Sequence, residues 1–343
     1  MEKNWLSIHI FYYSNVNPML LDCIAPLVEQ LRSQGLIRRS FFIRYWQEGH
    51  HIRLRLLPAE GVEHEAIKRV VEPVLATYLQ RNPSLYEPDF RDFAAYHKGQ
   101  FVAEYGEEKW IETYGKDGEM PVRANNSFHY IAYEPEYERY GGAEGVEVAE
   151  WHFEQSSAIV LRLLEEVNLR VRTILLGMSV QLWLPLCYAF LEDDAAMIVF
   201  LERYINFWQK RYWENRGFSD FDRQYLKMAP DLQRRIDEIK DYATGGTTGN
   251  LTTVEREWIA HSRELRQRID ALNSEQQLTL VGRKEDGQAY PVTDQATVYN
   301  RLLSSYIHMT NNRLGAAIYD EIYLAYLLKR AVEDRLNRLQ EVA

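Results

Sequence analysis

The hydrophobic period of this chain changes once, at Gly141–Gly142, and that change limits what the chain can fold into. Ahead of the glycine pair, residues 5–13, 40–46, 51–57 and 127–133 are β-rich runs with strand-type patterning. Beyond it, apolar residues recur at helical spacing from about 143 to 242, and again over 255–272, 294–312 and 316–340. A segment patterned for one period does not sit stably in the other. The expected class is therefore α+β, with a small antiparallel sheet layer first and a packed helical bundle after it. The expected organisation is an α/β portion over 1–142 and a mainly helical portion over 143–343, integrated in one domain.

Two helical patterns separate the early strands. Residues 18–34 carry Leu20, Ile24, Leu27, Val28 and Leu31 on one face, and Gly35 stands where a helix stops. Residues 62–80 form a second pattern, interrupted near Pro73. The runs 40–46 and 51–57 are joined by the short link 47–50 and read as a hairpin. The order β-α-β-β-α is that of a ferredoxin-like unit. The most apolar stretch, 174–191, contains Gln181 and Pro185 and is short for a bilayer span, so it reads as a buried helix that Pro185 kinks or ends. Residues 243–253, ATGGTTGNLTT, read as a flexible loop, either an ordered lid or a disordered connection.

Composition removes several classes of function. A formal charge of −10 is the wrong sign for holding a phosphate backbone, so no direct nucleic-acid binding is expected. The cysteines, Cys23 and Cys187, are too few for a disulfide framework and fit a reducing cytoplasm. The opening residues lack a long apolar core and a cleavage site, so neither export nor membrane attachment is expected. There is no glycine-rich nucleotide fingerprint, zinc spacing or nucleophile elbow. The adjacent pair His50–His51 puts its side chains on opposite strand faces. No cofactor and no metal are expected.

Three segments can carry chemistry. In FFIRYWQEGHHIRLRL, residues 41–56, Arg53 and Arg55 are two apart and project from one face, while Ile52, Leu54 and Leu56 take the other. Arg44 is a candidate third guanidinium from the facing strand. Clustered guanidiniums repel one another and suit a carboxylate, which they bind through a planar fork. A solvated face, or arginines paired with internal carboxylates, meets the same spacing. In YEPEYERYGG, residues 133–142, Arg139 precedes a helix whose free N–H groups favour an anion. Local pairing with Glu136 or Glu138 is the plainer account of it. In SSYIHMTNNRLG, residues 304–315, helical spacing puts Ser304, His308 and Asn312 on one face. His308 is a proton-transfer candidate near neutral pH, or a satisfied half-buried histidine. Arg313 reads as a C-terminal helix charge or a bridge into the bundle.

Taken in order, F-F-I-R-Y-W, H-I-R-L-R, Y-E-P-E-Y-E-R-Y-G-G and H-M-T-N-N-R-L-G resemble the C-terminal, glutamate-eliminating domain of lantibiotic dehydratases, which also occurs alone in thiopeptide-type bacteriocin pathways. The similarity runs from residue 5 to about 336. It implies a stand-alone lyase acting on a ribosomal precursor peptide, leader and core. A separate glutamyl-tRNA-dependent protein would esterify Ser or Thr with glutamate. This chain would then remove the glutamate, leaving dehydroalanine or dehydrobutyrine. Arg53, Arg55, Arg139 and His308 stand where the family has residues linked to elimination. Arg44, Ser304 and Asn312 are candidates for holding substrate. The resemblance also implies a cytoplasmic enzyme and admits a homodimer.

Elimination needs a base for the α-proton, stabilisation of the enolate and a hold on the departing carboxylate. Arg53 and Arg55 suit the glutamyl α-carboxylate or departing carboxylate, Arg139 the same anion or the enolate, and His308 the proton. Relatives in thiopeptide pathways instead perform a formal aza-[4+2] cycloaddition of two dehydroalanines with leader loss. A non-catalytic scaffold that binds the leader is the third reading, with the leader added to a sheet edge.

Overall fold

The computed structural model describes residues 4–87, 94–212, 218–246, 250–283 and 288–342. They form two compact units, Met1–Glu134 and Pro135–Ala343. The class is α+β, about two-thirds helical, with an antiparallel sheet of four strands near the N-terminus and a helical C-terminal region. Because the units divide ahead of Pro135, the whole Tyr-Gly-Gly turn belongs to the helical one.

The first unit opens with β1 (Leu6–Phe11), followed by α1 (Asn17–Met19), a π-helical turn (Leu20–Ile24) and α2 (Ala25–Ser33). Gly35, at φ +67°, supplies the left-handed residue that ends this segment. The hairpin of β2 (Ile37–Tyr45) and β3 (His51–Pro58) follows, then α3 (His64–Arg81), α4 (Ala94–Tyr105), α5 (Glu107–Tyr114) and β4 (Ser127–Tyr130). Pro73 lies inside α3 without ending it. The strand order is β2-β3-β1-β4 and every pairing is antiparallel. The expected ferredoxin-like start is thus closed by β4 on the far side of β1.

The pleat sorts the side chains into two kinds. Ile8 and Ile10 of β1 share a face with Ile52, Leu54 and Leu56 of β3, and all are buried with Leu20, Ile24, Leu27, Leu31, Ile67, Val71 and Leu75. Arg32 reaches Ser40, and Arg44 reaches Asn17 at 2.7 Å, so the first helical segment covers this face. The register corrects one expectation. The link is five residues, 46–50, with Tyr45 opposite His51 and Arg44 opposite Ile52. Arg44 therefore lies on the apolar face, away from Arg53 and Arg55. Glu48 (φ +63°) and Gly49 (φ +114°) make the extra residue possible. A Cβ on Gly49 would fall onto the Tyr13 phenol.

The second unit begins with α6 (Tyr137–Tyr140) and α7 (Gly142–Glu166) and continues through α8 (Arg172–Phe190), α9 (Asp194–Tyr212), α10 (Ser219–Ala243) and α11 (Thr253–Ser274). A small hairpin, β5 (Val281–Arg283) and β6 (Ala289–Pro291), precedes α12 (Gln295–Leu314) and α13 (Ile318–Val342). Polar patterning in 276–293 conceals that hairpin from a reading of periodicity. Caps mark the helix starts: Asp294 accepts from Thr297 N at 2.8 Å, and Thr252 forms a capping box with Glu255. Helix α8 is long and apolar enough to cross a membrane by length and composition. Here it packs against α10, α11, α12 and α13, and Trp183, Leu184, Pro185, Leu186 and Cys187 are fully buried. Pro185 does not end it, and the Trp258 indole donates to the Leu182 carbonyl nearby at 2.8 Å. Of the loop expected over 243–253, Ala243 closes α10 and Thr253 opens α11. Residues 247–249 lie outside the described residues.

Candidate functional site

The sheet of the first unit presents its second face as a cationic, histidine-rich surface. Register places Ser7, His9 and Phe11 of β1 beside Arg55, Arg53 and His51 of β3, with Phe41, Ile43 and Tyr45 on β2 and Ser127 and His129 on β4. Ser7, His9, His51 and Arg55 are no more than 5% exposed. The Arg55 guanidinium donates through Nη1 to Ser7 Oγ and lies 5.1 Å from the Tyr133 ring centre. Its Nε and the Nε2 of His9 have no hydrogen-bond partner among the described residues. Arg53 lies 3.5 Å from the Tyr45 ring centre and donates through Nε to His51 Nε2 at 3.2 Å. His51 Nδ1 in turn donates to the Gly49 carbonyl at 2.7 Å, which fixes its neutral tautomer.

No carboxylate pairs with Arg53 or Arg55 among the described residues. Burial pushes Arg55 down to about 9, with the Arg53 charge adding to the effect. Burial, then Arg53, pushes His51 down to about 3. The same two causes hold His9 far below its ordinary value.

In the second unit the remaining candidates converge. Helix α12 presents Thr297, Asn300, Arg301, Ser304, Ser305 and His308 along one face, and α9 presents Phe200, Arg203, Tyr204, Phe207 and Trp208 at matching helical spacing. With Glu138, Arg139 and Leu280 they line a cavity of about 480 Å³. Its lining includes the guanidinium-bearing Arg139, Arg203 and Arg301 and the carboxylate of Glu138.

The two glycines set the place of Arg139. Gly141 is left-handed and Gly142 has φ +93°, a succession that side-chain-bearing residues avoid. The Gly141 carbonyl accepts from Thr279 N at 2.9 Å, which ties the turn to the segment bearing Leu280. Arg139 contacts both oxygens of Glu136 through Nη1, at 3.0 and 3.1 Å, while also lining the cavity. Local pairing and the cavity position thus hold together.

His308 is half-buried, with Trp208 tilted against its ring at 4.8 Å. Its Nδ1 lies 3.1 Å from both carboxylate oxygens of Glu321 on α13. Nε2 is the nitrogen left for a substrate. Glu321 is fully buried and also accepts from the Tyr204 hydroxyl.

The structure therefore brings together Arg139, Ser304 and His308 in the helical unit, and Arg53 with Arg55 on the sheet of the other. Asn312 is half-buried one turn beyond His308 and does not line the cavity. Arg313 is fully buried, donating to Met309 O at 2.7 Å and Ser157 Oγ at 3.2 Å, and so bridges into the bundle. Arg301 was within reach of sequence reasoning, being seven residues before His308 on the same helical face. Arg203, Trp208 and Glu321 come from other helices, and no spacing links them to His308.

The profile of the lantibiotic biosynthesis dehydratase C-terminal family matches residues 5–332. The chain belongs to that family. Among solved structures, TbtD, a pyridine synthase from thiomuracin biosynthesis, superposes with a TM-score of 0.70 at 20% identity, over 96% of this chain and 98% of TbtD. TsrL superposes with a TM-score of 0.67 at 17% identity, over 97% and 95% of the two chains. MibB, a tRNA-dependent lantibiotic dehydratase from Microbispora sp. 107891, gives 0.55 at 21% identity, covering 98% of this chain and 28% of MibB. These likenesses show the shared fold. None of the curated proteins matches the chain in sequence.

Proposed function

We propose that this chain eliminates glutamate from O-glutamylated Ser or Thr of a ribosomal precursor peptide, leaving dehydroalanine or dehydrobutyrine. The observation that carries this reading is a single cavity lined by His308, held on a buried carboxylate, and by Arg139, Arg203 and Arg301. β-Elimination needs those functions side by side: a base for the α-proton and cations for the enolate and the departing carboxylate. On the sheet of the other unit, Arg53 and Arg55 are separate candidates for holding a carboxylate, since no carboxylate pairs with them among the described residues. The glutamate ester would come from a separate glutamyl-tRNA-dependent protein.

Mass spectrometry of a glutamylated precursor peptide, incubated with the purified protein alone, tests the reading. Loss of glutamic acid at each modified residue is expected. Replacing His308 by Ala should lower turnover by about 10²–10⁴, the usual worth of general acid–base help, in a protein that stays folded.

A second reading has its own support. TbtD, a pyridine synthase, and this chain align over nearly their whole lengths, which supports a pyridine synthase joining two dehydroalanines. A glutamylated peptide returned unchanged, together with pyridine formation and leader loss on a dehydrated peptide, would move the assignment there. No change in either peptide, with retained binding of the leader, would leave a scaffold.

A further inference from the structure

We propose that Glu321 is the positioning residue for His308: it holds the imidazole in its Nδ1–H form, so that Nε2 becomes the proton acceptor. Glu321 lies in the first turn of α13, where a helix N-terminus favours negative charge. Its side chain is 1% exposed. A carboxylate so buried is usually paired with Lys or Arg. Among the described residues Glu321 has no such partner; its oxygens meet His308 Nδ1, both at 3.1 Å, and the Tyr204 hydroxyl. Burial and the Glu321 charge keep Tyr204 protonated, so it serves only as a donor to the carboxylate. Glu321 then has one use for its remaining capacity, which is to accept from Nδ1–H and to stabilise positive charge on the ring.

The proton account follows, resting on the elimination reading only for the identity of the acid. At the reacting residue the Cα–H bond breaks and the proton goes to Nε2. The electron pair forms Cα=Cβ, and the Cβ–O pair leaves with the glutamate carboxylate. The imidazolium keeps its Nδ1–H on Glu321 and releases the Nε2 proton to water. A tautomer with hydrogen on Nε2 presents no lone pair to the cavity and stops this sequence.

The test has two arms. In protein labelled with ¹⁵N-histidine, with the His308 signals assigned by their loss in His308→Asn, neutral His308 should show the Nδ1–H tautomer. Finding Nε2–H in the unmodified protein overturns the proposal, whatever the enzyme's substrate proves to be. In Glu321→Gln the amide is able to donate to Nδ1 and hold the Nε2–H form. That variant should show the tautomer change, with kcat down by about 10²-fold or more and KM within about twofold. Glu321→Asp should recover part of the loss. A folded Glu321→Gln protein with kcat within about threefold of normal would overturn the proposal. If no glutamate is ever eliminated, the function reading fails alone, because the tautomer is read without substrate.

Discussion

Arg55 is a cation taken out of water with no carboxylate partner among the described residues. The residue is 4% exposed and its guanidinium donates to Ser7, with Nε unpartnered among the described residues. Burying an uncompensated charge costs several kcal/mol, so such a residue is not there for stability. Arg44 lies on the apolar face, donates to Asn17 at 2.7 Å, and is pushed down by burial to about 10. Arg55→Met should therefore abolish elimination and leave thermal stability equal or higher. Arg44→Met should keep elimination, because Arg44 lies on the other face of the sheet. Calorimetry beside the mass-spectrometric assay reads both. A loss of more than about 2 kcal/mol in Arg55→Met would make that arginine a strut. Arg53, Arg55, Arg139 and His308 became candidates through the order of motifs that resembles the family, since spacing alone left local pairing and a satisfied histidine as the plainer accounts. Glu321 stayed hidden. It lies thirteen residues beyond His308, across the turn at Gly315, and only the packing of α13 brings it back.

At the level of elements, most of the order was readable from period and punctuation. The β-α-β-β-α opening and the stop at Gly35 follow from local chemistry. Register did not. A link of four residues would pair Arg44 with Arg53; the five-residue link pairs it with Ile52, and one residue of slip turns a side chain to the other face. Nothing in Gln47–Glu48–Gly49–His50 distinguishes the two lengths before Glu48 and Gly49 are seen at positive φ. The glycine pair ahead of α7 had a clearer signature, and its role is testable. Gly142 sits at φ +93°, and a Cβ there would fall onto the Thr279 hydroxyl. Gly142→Ala should cost roughly 1–3 kcal/mol in urea unfolding, the usual strain of a left-handed non-glycine residue. It should also lower kcat/KM, because the turn that places Arg139 must shift. Unchanged unfolding would mean the turn relaxes without cost.

Across the whole molecule, buried histidines set the dependence of stability on acid. His9 and His51 lie in the first unit, His152 and His261 in the second, and burial depresses all four. His261 is pushed down to about 3, with Arg268 adding to burial, and His51 to about 3 with Arg53 adding. A base whose folded pKa lies below its unfolded value of 6.5 binds more protons when unfolded. Its contribution is complete above pH 6.5 and drains away as pH falls toward the folded value. Each such histidine should remove up to about 1.4 kcal/mol per pH unit in that window. Net charge pulls the other way. The chain carries −10 near neutrality, and acid relieves that self-repulsion, which alone would stabilise the folded state. Repulsion spread over a screened surface is weak beside several buried groups titrating together. Stability from urea unfolding should therefore be level above pH 7 and fall from pH 6.5 to 5, with proton uptake on unfolding. A rise over that interval would mean that surface charge outweighs the buried rings, or that those rings are wetter than their packing implies.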